Sequence, residues 1–449
     1  MTNVDTVNPS STFVADRLLP LLISVGAVGL AVLSVGLNSD SILLGLGVCA
    51  GLIATCYSWP VGAVLALLVA VVIPGCSLRI AGFTVRPEQV AVLIIVPLIG
   101  RCIMSWSLSD KLVSGFIAAN LVSSILFSPA REFSLTRALL LILNLLSYWI
   151  VRKVASDHDV VFRLFLLVGV GAAAIGIACY LAHYLFGSDV GIMYYPATLA
   201  RDELAGVKGA NIEANIFGSY AGSLSSVLFA MYLQRSRRDL LCGCLLASIA
   251  TALSLARAAW LGLGVALGLA ALCHASARQR KLALIGALLI VVCMPIFMLV
   301  PTVHERIASL APAAVLEDPT LLHRAYYTGL ALDNIRIRPW LGWGTDSFEL
   351  MQDWDTENGM QGAWVGNMIV RVLHDTGVIG TVMLLGFFGI TMWRAWRSRD
   401  SMAKALCFGA LVLLIAFQFT DATTLAYPWL LFGLMTAATQ RAVDRSRIS

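Results

Sequence analysis

Residues 161–186 read VFRLFLLVGVGAAAIGIACYLAHYLF, an apolar run of 26 residues in which Arg163 is the one formally charged side chain. A helix needs roughly 20 apolar residues to cross a bilayer, so this run predicts a transmembrane helix. The second and third predicted spans, 41–57 and 60–75, are short and meet at Trp59-Pro60. If these two segments do not cross the bilayer, the total is twelve spans instead of about fourteen. The predicted spans are 18–36, 41–57, 60–75, 88–105, 111–129, 134–151, 161–186, 212–233, 239–255, 258–275, 281–301, 367–393, 403–420 and 424–440.

The composition agrees with a protein that lies mostly in the membrane. Of the 449 residues, 59% are hydrophobic and 13% are charged, and the mean hydropathy is +0.84. A soluble domain carries about 25% charged residues. The predicted fold class is therefore all-α, a polytopic membrane bundle of about 12–14 spans. We expect the ten cysteines to be small buried side chains, because all lie in apolar runs or at their edges.

Basic residues predict the orientation of this bundle. Cytoplasmic loops are enriched in Lys and Arg, and five basic clusters share one face if fourteen spans alternate. Both termini are then cytoplasmic, and the net charge of +5 requires no nucleic acid or other acidic partner. The chain divides into an N-terminal bundle (1–301), a large outer loop (302–365) and three C-terminal spans (366–449). The clusters are Arg152-Lys153, Arg235/Arg237/Arg238, Arg278/Arg280/Lys281, Arg394/Arg397/Arg399/Lys404 and Arg441/Arg445/Arg447.

The opposite, outer face keeps twelve basic residues, of which eleven are arginine. The planar guanidinium group binds phosphate through two parallel hydrogen bonds, so these residues indicate an anionic substrate outside the membrane. The alternative is pairing with the carboxylates of the outer loop. We expect such pairing least for Arg257 and Arg371, because few acidic residues are near them in sequence. The twelve are Arg79, Arg86, Arg131, Arg137, Arg201, Lys208, Arg257, Arg306, Arg324, Arg336, Arg338 and Arg371.

The outer loop has a helical pattern of its own. Asp318 is a suitable N-cap and proline suits the first helical position, which predicts a helix over 319–337. Pro339 prevents its continuation. The sequence Leu341-Gly-Trp-Gly344 then predicts a turn.

Four segments resemble signatures of the O-antigen polymerase/ligase family. Residues 324–348, RAYYTGLALDNIRIRPWLGWGTDSF, are similar to the motif of the family's large periplasmic loop. Residues 255–260, LARAAW, and 209–215, GANIEAN, are similar to two motifs at the outer ends of mid-chain spans. Residues 367–380, NMIVRVLHDTGVIG, resemble the motif that follows the loop. The resemblance covers about 130–390.

This resemblance implies a GT-C-like fold and an inverting glycosyl transfer on the periplasmic side of a bacterial inner membrane. Family members move a glycan from a polyprenyl diphosphate to an acceptor sugar without a metal or other cofactor. Gly366 stands where the ligases have a histidine, so polymerisation of repeat units is favoured and ligation to a lipid A-core or other acceptor is the alternative. The implied partners are the lipid-linked donor, the glycan acceptor, membrane lipid and polysaccharide-assembly proteins.

A diphosphate leaving group directs the choice of site residues. Its developing negative charge must be stabilised, and a base must take the proton of the acceptor hydroxyl. For the charge we select Arg324, Arg257 and Arg201, and for the base His323, His374 and Asp375. Other substrate-binding candidates are Arg338, Arg371, Asn215, Asn367, Trp340 and Trp343, the two tryptophans being interfacial anchors or sugar-stacking rings.

Two alternatives belong to other functional classes: a transporter of lipid-linked sugars and a non-catalytic assembly partner. Transporters often have paired broken helices and charge at span centres, and neither is evident in the sequence. Asp353-Trp-Asp355 has the D-x-D form of a metal site in nucleotide-sugar transferases. Those substrates are cytoplasmic whereas this loop is expected outside, so we predict a solvated acidic segment and no metal.

Overall fold

The computed structural model describes residues 60–75, 77–80, 83–99, 106–195, 204–276, 319–351, 365–421 and 423–448. The predicted spans 18–36, 41–57 and 281–301 lie outside the described residues, as does Asp353-Trp-Asp355. The described chain is helical except for two short hairpins, so the prediction of an all-α membrane bundle is confirmed.

Each predicted span within the described residues corresponds to a helix. These helices are α1 (Pro60–Val72), α2 (Pro87–Ile99), α3 (Leu108–Leu126), α4 (Arg131–Asp157), α5 (Val160–Phe186), α6 (Ala214–Arg235), α7 (Arg238–Leu253), α8 (Arg257–His274), α11 (Met368–Arg397), α12 (Ser401–Ala416) and α13 (Ala426–Ile448). The loop contributes α9 (Pro319–Ile337), at the predicted bounds, and the short α10 (Phe348–Met351).

Five of the described helices are long and apolar enough to cross a membrane: α4, α5, α6, α8 and α11. Three shorter apolar helices accompany them: α1, the segment Pro87–Val96 of α2, and α12. The total of twelve or fourteen spans stays a prediction.

The three C-terminal helices pack into the N-terminal bundle. α11 lies against α3, α12 against α6 and α8, and α13 against α4. Small residues allow these close approaches: a Cβ at Gly433 of α13 would lie 2.6 Å from the carbonyl oxygen of Tyr148, and one at Gly262 of α8 would lie 3.0 Å from that of Val412. The aromatic centre of this core is fully buried and consists of Phe116, Tyr148, Phe387, Trp429 and Phe432.

Two antiparallel hairpins, which the sequence analysis did not predict, lie between helices. β1 (Leu78–Ile80) pairs with β2 (Phe83–Val85), and β3 (Ile192–Tyr195) pairs with β4 (Leu204–Val207). Strands this short give too few alternating residues for a recognisable pattern. The turn after α1 contacts the turn after β4, where the amide of Gly75 donates to the carbonyl oxygen of Ala210 at 3.1 Å.

The bundle has two chemically different ends. The site end gathers the described residues of the ranges 73–86, 127–137, 204–214, 338–348, 365–375 and 417–424. The basic end gathers 152–163, 235–239, 397–402 and 440–445: Arg235 donates to Ser401 at 3.0 Å and Arg445 pairs with Asp159 at 3.2 Å. Four of the five predicted basic clusters therefore occupy one end, and the fifth, at 278–281, lies outside the described residues. Which end faces the cytoplasm stays a prediction.

Candidate functional site

The site end is organised around a break in α11. Asn367 caps this helix by accepting a hydrogen bond from the amide of Val370 at 3.1 Å. At Gly377 the backbone leaves the helical region, with φ 65° and ψ −167°. Only glycine adopts this conformation without strain, so the sequence fixes where the helix breaks.

The turn after α9 supplies hydrogen-bond partners for the broken segment. The amides of Trp343 and Gly344 donate to the carbonyl oxygens of His374 and Asp375, both at 2.9 Å. In return the amide of Val378 donates to the carbonyl oxygen of Pro339 at 2.8 Å. Backbone groups freed by the break are thus satisfied by the loop, as groups inside a membrane protein must be.

Two glycines, which have no Cβ, permit this close contact. A Cβ at Gly342 would lie 2.4 Å from the carbonyl oxygen of His374, and one at Gly377 would lie 2.2 Å from the backbone of Trp340. Both glycines, like Gly344, have a positive φ. The two motifs at 339–348 and 367–380 that the sequence analysis singled out are therefore two sides of one junction.

Beside the junction, Arg371 is surrounded by carboxylates. It pairs with Asp346 and with Asp421, and its Nε lies 3.8 Å from Asp375. The side chains of Arg371 and Asp421 are 11% and 0% exposed. The expectation that Arg371 has few acidic partners was wrong, because Asp346 and Asp421 are 25 and 50 residues away and only the fold brings them near.

Asp346 is the most strained member of this cluster. It has φ 55°, which is uncommon for a residue with a side chain. Its amide donates to the carboxylate of Asp375 at 3.0 Å, and its own carboxylate lies 3.8 Å from Arg137 besides pairing with Arg371. Several contacts therefore hold Asp346 in a conformation that it does not prefer alone.

Asp346 also faces a polar cavity of about 360 Å³. Arg86, Arg137 and Lys208 line this cavity, and Asp346 is the one carboxylate among its described lining residues. Arg86 donates to the carbonyl oxygen of Thr424 at 3.4 Å. Burial lowers the pKa of Arg86, an effect that the nearby charge of Glu88 opposes. The cavity therefore has an excess of positive charge in partly dehydrated surroundings, which favours an anion.

Arg324 acts electrostatically on Glu213, a carboxylate on which Arg86 of the cavity also acts. Burial raises the pKa of Glu213, just before α6, and the charges of Arg324 and Arg86 lower it. α9 therefore brings Arg324 within electrostatic reach of Glu213, and Glu213 is also within reach of Arg86, which lines the cavity. The candidate Asn215 is the second residue of α6, and Arg257 is the first residue of α8.

The two candidate bases on α11 are deeply buried. His374 is 0% exposed, its Nδ1 lies 3.2 Å from the Asp375 carboxylate, and its Nε2 has no hydrogen-bond partner among the residues that the structure describes. The ring of Phe348 packs edge-on against His374, with centroids 5.2 Å apart. Neither His374 nor Asp375 lines the cavity. The side chain of His323 and the whole of Arg201 lie outside the described residues.

Three of the remaining candidates make contacts within the protein. Arg338 donates to the carbonyl oxygen of Phe127 at 2.7 Å and lies over the ring of Trp343 at 4.0 Å. Trp343 donates to the carbonyl oxygen of Asn334 at 2.9 Å, and Asn367 donates to that of Gln418 at 3.2 Å.

Trp340, by contrast, is 66% exposed. Its ring is therefore available to an interface or a ligand, whereas Trp343 fastens the loop.

Arg86, Arg137 and Lys208 were predicted to lie on the outer face but not in the site, and Asp421 was predicted in neither place. Their separation in sequence, from 86 to 421, hides the cluster. Arg86, Arg137 and Lys208 shared one signal, which was the excess of basic residues on the predicted outer face, and Asp421 had none. Among the described residues, no three His, Cys, Asp or Glu side chains are grouped as a metal site would require.

These features define the class of protein: a polytopic membrane bundle with a cationic site at one end, built on a broken helix and a loop helix. A family model described as O-antigen ligase matches residues 242–385. This segment contains Arg257, α9, the glycine junction and Arg371, and it belongs to the O-antigen polymerase/ligase family, as the sequence resemblance predicted. The family implies enzymatic glycosyl transfer between a lipid-linked glycan and a glycan acceptor. No curated protein matches the chain.

Proposed function

We propose that this protein transfers a glycan, with inversion, from a polyprenyl diphosphate to an acceptor sugar on the periplasmic face of a bacterial inner membrane. Polymerisation of repeat units is the favoured reaction, in a GT-C-like fold and without a metal. The cavity of about 360 Å³ between Arg86, Arg137, Lys208 and Asp346 is the observation that supports this most strongly. It combines an excess of cations with one carboxylate beside the two family motifs.

The cations suit a diphosphate leaving group. When the bond between the anomeric carbon and the diphosphate oxygen breaks, negative charge grows on that oxygen. Guanidinium and ammonium groups already in position stabilise this charge without reorganisation. We assign this role to Arg86, Arg137 and Lys208, with Arg324 contributing from α9.

The carboxylate suits the acceptor. The new bond joins the acceptor oxygen to the anomeric carbon, and the hydroxyl proton must pass to a base. Asp346 lines the cavity, whereas His374 and Asp375 lie behind it. We therefore propose Asp346 as the base, with Asp375 and Arg371 as positioning residues and His323 as the alternative base.

Matched arginine variants test the proposal. In purified protein supplied with polyprenyl-diphosphate oligosaccharide from the source cells, Arg86→Gln and Arg137→Gln should each slow glycan transfer by about 100-fold. Arg131→Gln removes the same charge from an exposed residue at the same end and should leave the rate unchanged. Equal rates in all three variants would exclude the cavity as the donor site.

Two alternatives remain. Ligation to a lipid A-core would use the same donor, and the product distinguishes it from polymerisation. A transporter of lipid-linked sugars is favoured only by the break in α11, since broken helices are frequent in transporters. Here the loop backbone closes the break by hydrogen bonds. A transporter would move the lipid-linked glycan without forming a new glycosidic bond.

A further inference from the structure

A second cavity lies at the basic end, remote from the site described above. It has a volume of about 900 Å³ and lies between α5 and α7, with α6 as its floor. We call it the α5–α7 groove. Its apolar lining includes Phe162, Leu166 and Val170 of α5, Leu228 of α6, and Gly243 and Leu246 of α7.

Arginines surround the end of the groove that lies nearest the helix termini. The lining contains five arginines and three aspartates, which leaves an excess of two positive charges. The aspartates are engaged already: Asp239 pairs with Arg237 at 2.6 Å, and Asp400 caps α12. Asp159 pairs with Arg445 at 3.2 Å and also with Arg441. The arginines are Arg163, Arg235, Arg237, Arg441 and Arg445.

The apolar part of the groove faces the surface that the membrane covers. Leu167 on its α5 wall is 56% exposed, and only 22% of the residues in an 18-residue apolar stretch of α5 are buried within the protein. From Arg163 to Val170 the helix rises about 10 Å. The groove thus offers guanidinium groups at the membrane surface and an apolar wall extending from them into the hydrocarbon region.

We propose that the α5–α7 groove binds an anionic phospholipid. The phosphate of the head group lies among the arginines, and the upper part of an acyl chain lies along α5 and α7. A soluble anion would leave the apolar wall uncovered, and a zwitterionic lipid would not match the excess charge. This proposal is independent of the glycosyl transfer proposed above.

Native mass spectrometry of the purified full-length protein tests this site. We expect phosphatidylglycerol to bind to the protein at lipid concentrations at which phosphatidylcholine does not bind. Arg163→Gln should weaken phosphatidylglycerol binding by about fivefold. Arg399→Gln is the matched control, because Arg399 is an exposed arginine of the same end that does not line the groove.

A second variant keeps the charge and fills the groove. Cys242 is an exposed lining residue of α7, so the expectation of a buried side chain was wrong for this cysteine. Cys242→Trp should displace the acyl chain and reduce binding of phosphatidylglycerol. Wild-type protein that binds both lipids equally would overturn the proposal. Equal binding by Arg163→Gln, Cys242→Trp and Arg399→Gln would overturn it as well.

Discussion

Arg371 and Asp346 show how single residues organise the candidate site. A buried guanidinium group is tolerated only when carboxylates compensate its charge, and Arg371 has three within reach. Asp346 joins this buried cluster to the cavity, because it contacts Arg371 on one side and Arg137 on the other. The strained backbone of Asp346 is held by these contacts and by Asp375. Removal of Arg371 should therefore disturb both stability and the site.

We predict that Arg371→Gln destabilises the protein by about 3 kcal/mol or more, because it leaves buried carboxylates without their partner. Thermal unfolding in detergent measures this. Arg336→Gln is the control: Arg336 pairs with Asp333 on the exposed surface of α9, and such pairs add little. An Arg371→Gln protein as stable as the Arg336→Gln protein would contradict this account of the cluster.

At the scale of elements, α11 and the turn after α9 form one unit. Sequence patterns predicted both helices and the intervening turn, because caps, prolines and apolar runs are local signals. They did not reveal that the turn packs against a break in α11. Gly377 inside an apolar run resembles any other glycine of a membrane helix, and its partner Gly342 is 35 residues earlier in the chain. Only the tertiary contact explains why both positions are glycine.

A pair of variants in α11 tests the junction. Gly377→Ala should reduce both thermal stability and glycan transfer, because the residue has φ 65° and its Cβ would lie 2.2 Å from the backbone of Trp340. Gly389→Ala in the same helix meets nothing within 4 Å and should be neutral or slightly stabilising. The break would be unimportant if the two variants had the same melting temperature and the same activity.

At the scale of the whole molecule, the predicted alternation of spans assigns the described loops to the same two ends of the bundle that the structure shows. The loops predicted to face outward meet at the site end, and four of the basic clusters meet at the other. Hydropathy predicts spans well because every backbone polar group in the bilayer must be satisfied within a helix. Hydropathy does not specify which helices are neighbours. The cavity residues Arg86, Arg137 and Lys208 therefore appeared in the sequence only as separate arginines and a lysine.

The orientation of the bundle follows from the basic residues and is open to direct measurement. In a variant without reactive native cysteines, a cysteine at Asp189, which is exposed after α5, should react with an impermeant thiol reagent from the periplasmic side. A cysteine at Arg399, at the basic end, should react only after the inner membrane is opened. The opposite pattern would place the site on the cytoplasmic side and exclude a periplasmic acceptor.

The central claim is that the cavity at the site end joins a lipid-linked glycan to an acceptor sugar, with Asp346 as the base. The most direct test is product analysis by mass spectrometry after purified protein is incubated with polyprenyl-diphosphate oligosaccharide. Wild-type protein should release polyprenyl diphosphate and form a longer glycan. Asp346→Asn, which suits the same backbone conformation, should slow this by at least about 100-fold, whereas Glu349→Gln, at an exposed carboxylate of the same loop, should not. Wild-type protein that forms no glycosidic bond, or an Asp346→Asn protein that forms it at the wild-type rate, would contradict the claim.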